Sequence, residues 1–174
     1  MTSAPGPYDV ILDTSVLINF LTIDRVDLLG RHSRYRFLLT PHVRSEVTHA
    51  VQLTRLDAAI QSGQLHLIAT GSHAELATFA RLTATLGIGE SAAIAAAAHR
   101  SLRVAVEDRA ARRTAIQLVG HSNVVTTTQL MVSMIQTGLL TVQDADAIKL
   151  DWATNHRFDL AQFQSFADIL PPTP

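Results

Sequence analysis

Short apolar, β-branched runs alternate with stretches of helical periodicity along nearly the whole chain, and this alternation narrows the possible folds more than any other feature. Tyr8–Leu12, Tyr35–Leu39, Gln64–Ala69, Arg103–Val106 and Ser122–Thr126 read as strands. Helical pattern covers Val16–Leu21 and Arg25–Leu29, with Asp24 as a cap of the second. Thr40 caps a helix that has Pro41 in its first turn, where a missing N–H costs nothing, and that helix carries Glu46. The pattern resumes over Leu53–Ile60. Ser72-His73-Ala74-Glu75 is a capping box that opens a helix running to Leu86. Gly87-Ile88-Gly89 interrupts it, and Glu90–Arg100 follows. The alanine-rich run of that helix, Ala92 to Ala98, has a low profile suited to lying against a sheet. Further helices are read at Arg109–Leu118, Thr128–Gly138, Gln143–His156 and Leu160–Ile169. Strands alternating with helices predict a three-layer α/β/α fold with a short, mostly parallel central sheet and right-handed connections.

Composition removes several classes of function. At 174 residues the chain can bury a sizeable core, and with 47% hydrophobic and 17% charged residues it is not disordered. No apolar run approaches the roughly 20 residues of a membrane helix, and Met1–Pro7 lacks the basic start and apolar stretch of a signal peptide. The absence of cysteine excludes disulfides and thiolate metal sites and suits a cytoplasmic location. A net charge of -1 argues against a nucleic-acid binder working by bulk electrostatics. Lys149 is the only lysine, so nearly every cation is an arginine. The planar fork of arginine suits phosphate, although genome composition produces the same bias.

The chemistry resides in carboxylates. A parallel sheet brings its βα junctions to one edge, where ligands bind. Asp13 ends the strand Val10-Ile11-Leu12 and is followed by the hydroxyls of Thr14 and Ser15; Asp108, with Glu107 beside it, repeats this placement after Val104-Ala105-Val106. Glu90 opens the alanine-rich helix, and Glu46 sits on the helix after the second strand. Oxygen donors without cysteine or a paired-histidine motif favour Mg²⁺ or Mn²⁺ over zinc. Each acid also has a structural role open to it. Asp13 can simply cap its helix, Glu46 can be solvated, and the macrodipole favours Glu90 and Asp108 at helix starts without any function. Their joint occurrence at strand edges favours a shared site.

Other constellations are weaker. Arg109, Arg112 and Arg113 can grip phosphates near Asp108 or form the solvated face of a helix. His42, Glu46 and His49 fall near one helix face as in zinc helices, but the spacing is not His-Glu-x-x-His. No P-loop is present, Gly87-Ile88-Gly89 is not a dinucleotide fingerprint, and Ser91 lacks the flanking glycines of a nucleophile elbow. Phe158, Phe163, Phe166 and Ile169, at helix-like spacing, read as core or a partner surface.

Four segments, taken in order, resemble a known family. Val10-Ile11-Leu12-Asp13-Thr14-Ser15-Val16-Leu17-Ile18-Asn19 resembles the first motif of PIN-domain ribonucleases, and Thr40-Pro41-His42-Val43-Arg44-Ser45-Glu46-Val47 the second. Leu86-Gly87-Ile88-Gly89-Glu90-Ser91-Ala92-Ala93-Ile94 resembles the third, in the Gly-Glu variant of the VapC-like toxin branch. Val104-Ala105-Val106-Glu107-Asp108-Arg109-Ala110-Ala111-Arg112 resembles the fourth. The resemblance spans about 9 to 128 and implies a single PIN-like domain, with a motif-bearing core over about 8–128 and a helical C-terminal extension over about 129–170. It implies Asp13, Glu46, Glu90 and Asp108 as an acidic quartet, with Asp13, Glu90 and Asp108 on one or two Mg²⁺ or Mn²⁺ ions and Thr14 or Ser15 in support. Two features depart from the family pattern. Val106 stands where threonine is common, and Glu107 competes with Asp108 for the metal-facing place, which is assigned here to Asp108. The resemblance further implies RNA cleavage by an activated water, a small antitoxin partner and a homodimer.

Two other functions compete with the ribonuclease. An aspartate-nucleophile phosphatase would use Asp13, but such enzymes carry a second aspartate two residues on, where this chain has Ser15. A catalytically silent PIN-like module would bind RNA or protein without cutting, and the presence of all four acids counts against it.

Overall fold

The computed structural model describes residues 6–69, 71–160 and 162–171. Five parallel strands make one sheet in the order β3-β2-β1-β4-β5: β1 (Tyr8–Leu12), β2 (Tyr35–Leu39), β3 (His66–Leu67), β4 (Arg103–Ala105) and β5 (Val124–Val125). The chain builds outward from β1 to β2 and β3, then crosses to the other side of β1 for β4 and β5. The order therefore reverses between β1 and β4, and the crevice at their carboxyl ends is the topological switch point of the sheet.

The two-residue period of the strands sorts their side chains to two faces. Val10, Leu12, Phe37, Leu39, Ala105 and Val125 face one core cluster. Ile11, Leu38, Val104 and Val124 face the other. The first is covered by α1 (Thr14–Thr22), α2 (Asp27–Gly30), α3 (Pro41–Glu46), α4 (Ala50–Gln61), α8 (Thr127–Gln136) and α9 (Val142–Asn155). The second is covered by α5 (His73–Leu82), α6 (Ile88–Arg100) and α7 (Arg109–Val119). This is the expected α/β/α architecture. The alanines of α6 from Ala92 to Ala97 are buried, Ala93, Ala96 and Ala97 lying directly on the sheet cluster, while Ala98 is partly exposed.

Several expectations need correction. Asp24 does not cap α2. It sits in a left-handed turn with φ 58 and pairs with Arg55 at 2.9 Å, while Val26 occupies the cap position without a side-chain bond. Only half of the Ser72 capping box forms, because Glu75 is drawn away to Arg100 at 2.7 Å. Its helix ends at Leu82, four residues short of Leu86. Gly89 lies inside α6, whose N-cap is Gly87. The segment expected to be helical over Leu160–Ile169, of which Ala161 lies outside the described residues, contains only a 3-10 turn at Phe166–Asp168. There α9 supplies the hydrogen bonds that a helical ladder would otherwise make. Asp146 accepts from the Ser165 hydroxyl and the Phe166 amide, and Lys149 donates to the Gln164 carbonyl. Phe166 is buried in the core as expected, whereas Ile169 remains exposed.

Candidate functional site at the β1–β4 crevice

Asp13 is positioned by the sheet itself. Its backbone amide donates to the Ala105 carbonyl of β4 at 2.9 Å, so the residue is pinned between the two strands that flank the switch point. The chain then turns into α1, with Asp13 as N-cap: its carboxylate accepts from the Thr14 amide at 2.6 Å and from the Ser15 hydroxyl. Asp13 thus takes the capping role open to it, at the sheet edge where a site carboxylate would also stand. The side chain is only 1% exposed. Burial pushes its pKa up to about 6 from 3.8, and the negative charge of Glu90 adds to the rise, while the Ser15 and Thr14 bonds oppose it.

Glu46 ties three elements together. The last residue of α3, it accepts the Thr14 hydroxyl on one oxygen and the Gly89 amide, at 3.0 Å, on the other. The Gly89 amide belongs to the first turn of α6, whose N–H groups lack helical partners and attract anions. A side chain at Gly89 would collide with the Glu46 carboxylate and the Thr14 hydroxyl, so this close approach requires glycine. Glu90, one residue on, accepts from the Gly87 amide at 3.0 Å, the half of a capping box that a glycine N-cap allows.

The opposite wall is divided. Asp108 is exposed and turned onto its own helix, accepting from the Ala110 and Ala111 amides at 2.7 and 3.1 Å. Those bonds, with a smaller contribution from Arg112, hold its carboxyl below the usual range. Glu107 turns toward α8, accepting from the Thr127 amide at 3.0 Å. Buried Thr127 accepts from the Asn19 side chain at 3.2 Å, and the Asn19 carbonyl accepts from the Trp152 indole at 2.7 Å. Hydrogen bonds thus join Asp13, Thr14, Ser15, Glu46 and Gly89 around α1, α3 and α6, Glu90 adds its charge to Asp13, and Asp108 is outside that network. Among the described residues no three acids or histidines stand close enough to hold a metal ion by side chains alone. Mg²⁺ needs less, since it retains waters and is bound by one or two carboxylates plus substrate phosphate. The donor set at Asp13 and Glu90, all oxygen, buried on one side and short of positive charge, fits such an ion.

The arrangement shows three things that the sequence did not reveal: the role of the Gly89 amide, the Asn19–Thr127 pair, and the splitting of Glu107 and Asp108 toward different helices. Only a glycine directly before an acid hinted at the first. The zinc-helix arrangement is corrected, because α3 ends at Glu46 and His49 lies past the break as the N-cap of α4, while His42 stacks on Phe79. Arg109, Arg112 and Arg113 line a cavity on α7 together with His121 and Thr126.

The family model of the PIN domain matches residues 9–154, and the chain belongs to that family. No curated protein matches it. Among solved structures it is similar to VapBC2 from Rickettsia felis bound to a DNA fragment from its promoter, at 12% identity and a TM-score of 0.46, covering 68% of this chain and 96% of the other. It is also similar to a PilT N-terminus domain protein from the archaeon Sulfolobus solfataricus P2, at 17% identity and a TM-score of 0.44, covering 74% and 94%. At that level of likeness, family membership rests on the sequence match. No helix among the described residues is long and apolar enough to cross a membrane.

Proposed function

We propose that this chain is a Mg²⁺- or Mn²⁺-dependent endoribonuclease, the toxin of a toxin–antitoxin pair, acting as a cytoplasmic homodimer restrained by a small antitoxin protein. The observation that carries the nuclease reading is the buried Asp13 carboxylate at the switch point, raised to about 6 beside Glu90 with no cation against it. A divalent ion is the partner this excess of negative charge calls for. The chemistry it supplies is activation of water for attack and neutralisation of charge on the phosphodiester.

The chain's own residues do the positioning. Asp13 and Glu90 would hold the ion, with Asp108 on the far wall if its side chain leaves the α7 amides. The Ser15 hydroxyl and Thr14 amide fix the Asp13 rotamer. The Thr14 hydroxyl and Gly89 amide fix Glu46, so that α1, α3 and α6 keep one spacing at the crevice. Purified protein with Mg²⁺ or Mn²⁺ is expected to cut single-stranded or structured RNA, and Asp13→Asn to reduce the rate by at least about 100-fold with the far-UV circular dichroism unchanged, as loss of a main metal ligand demands. Undiminished cleavage by that variant would falsify the site.

A second reading rests on a specific observation: among the described residues no three acids stand within reach of a common ion as the side chains lie. On that reading the chain is a silent PIN-like module that binds RNA or protein. RNA binding without turnover at any divalent ion concentration would establish it.

A further inference from the structure

The amino edge of the sheet, at the far end of the strands from the crevice, carries a cluster that the proposed chemistry does not use. Tyr8, Tyr35 and Arg103 are the first residues of β1, β2 and β4. The register sets Tyr8 beside Tyr35 and Val10 beside Arg103, so the three side chains leave the same face of the sheet. The Arg103 guanidinium lies over the Tyr8 ring, 3.9 Å from its centre, and over the Tyr35 ring at 5.7 Å. It donates one N–H to the Tyr35 hydroxyl at 3.4 Å. Beside this stack opens a cavity of about 500 Å³, with Tyr8, Asp9, Arg36, Arg100, Ser101 and Arg103 on its walls.

The charges on those walls are unequally matched. Asp9, the acid of the cavity, is spent on Arg36, which donates to it at 2.6 and 2.7 Å. Arg100 is spent on Glu75 and on the Ala69 carbonyl. Arg103 makes no ion pair among the described residues, and its one bond to Tyr35 leaves most of the fork unused. One guanidinium charge is left over. The rings fix the plane of that fork, and a fork already ordered loses little freedom when an acceptor binds in its plane. Ser101 adopts φ 54, a conformation easy only for glycine, and its hydroxyl makes no hydrogen bond among the described residues. Half-exposed Tyr8, with Pro7 and Leu102, adds apolar surface to the cavity.

The geometry points to a ligand site at this edge for a small monocarboxylate. The Arg103 fork takes both carboxylate oxygens, the Ser101 hydroxyl supports them, and the apolar body of the acid rests on Tyr8, Pro7 and Leu102. A single unmatched charge calls for a monoanion, and the two oxygens of a carboxylate match the parallel N–H groups of the fork. A volume of about 500 Å³ leaves room for more than the head group. The site is separated from Asp13 by the length of the strands and does not rest on the nuclease reading.

The test is a titration of the isotope-labelled full chain in EDTA at neutral pH, read on its amide chemical shifts, with benzoate, benzamide, phenyl phosphate and acetate as probes. Benzoate is expected to move the amides of Ser101, Leu102 and Arg103 and to saturate. Benzamide, the same body without the charge, should bind at least about tenfold more weakly, and acetate, the charge without the body, should also bind more weakly. Arg103→Ala should weaken benzoate binding at least about tenfold. Arg103→Lys, which keeps the charge but not the fork, should weaken it several-fold, and Arg81→Ala on α5 should leave it unchanged. Ser101→Gly relieves the backbone and removes the hydroxyl, so it should melt no lower than the parent yet hold benzoate less tightly. Should Arg103→Ala fail to fold, the lysine and glycine variants decide. The inference is overturned if no probe moves those amides, if the shifts fall elsewhere, or if benzamide matches benzoate. It is overturned equally if Arg103→Lys and Ser101→Gly bind benzoate like the parent. Phenyl phosphate binding more tightly than benzoate at the same amides would overturn it in favour of a phosphate site.

Discussion

Asp13 carries opposing demands in one side chain. It caps α1, accepts two hydrogen bonds and is buried, yet it bears a charge that burial and Glu90 both disfavour. The consequence for stability has a definite sign. Its folded pKa of about 6 lies above the ordinary 3.8, so the native state holds this proton more tightly than the unfolded chain. The stability it contributes is present below pH 4 and is lost as pH rises through about 6. In EDTA, Asp13→Asn is therefore expected to be more stable than the parent at pH 7.5, by on the order of 1–3 kcal/mol and so with a higher melting temperature, and the gap should close toward pH 4. Mg²⁺ should raise the melting temperature of the parent and leave that of the variant in place. Thermal scans across this pH range check this. A gap independent of pH would show that the charge on Asp13 is not what burial opposes.

At the scale of elements, helix ends do most of the work at the crevice. The amino-terminal turns of α1, α6, α7 and α8 all present free N–H groups there, and Asp13, Glu46, Asp108 and Glu107 each accept from one of them. Two of those acids are neighbours with different fates: Asp108 spends its carboxylate on α7, and Glu107 spends its own on α8. The two roles separate in an experiment. Asp108→Ala should cost about 1 kcal/mol of stability through loss of the cap. If Asp108 also serves the site, Asp108→Asn, which keeps an acceptor for the cap, should lower cleavage with little effect on melting. If Glu107 serves instead, the loss should move to Glu107→Gln. Rates and melting curves of the three variants decide between them.

Across the whole molecule, the fold makes residues far apart in the chain act on one another at the β1–β4 switch point: the charge of Glu90 reaches Asp13, and the Gly89 amide reaches Glu46. The far helices help hold it. Trp152 of α9 is fully buried, packs edge-on against Phe20 of α1 and donates to the Asn19 carbonyl, and the Asn19 side chain reaches Thr127 at the Glu107 end. Trp152→Ala should therefore destabilise the fold by about 3–5 kcal/mol. Trp152→Phe fills most of the space but leaves the carbonyl without its donor, and should cost about 1–3 kcal/mol. Chemical denaturation measures both. A loss under about 1 kcal/mol for the alanine variant would show α9 to be peripheral. Much of this was legible in the sequence alone, for a local reason. The bounds of β1 and β2, the Thr40 cap with Pro41 and the apolar alternation all depend on periods and caps spanning a few residues. Placing Asp13 at a strand end likewise needed only Val10-Ile11-Leu12. What only the tertiary structure decided depends on groups distant in sequence that compete for the same partners. Glu75 left its capping box for Arg100, Asp146 replaced a helical ladder at Ser165 and Phe166, and Gly89 met Glu46. Glu107 and Asp108, adjacent in the chain, were parted by which helix end each could reach.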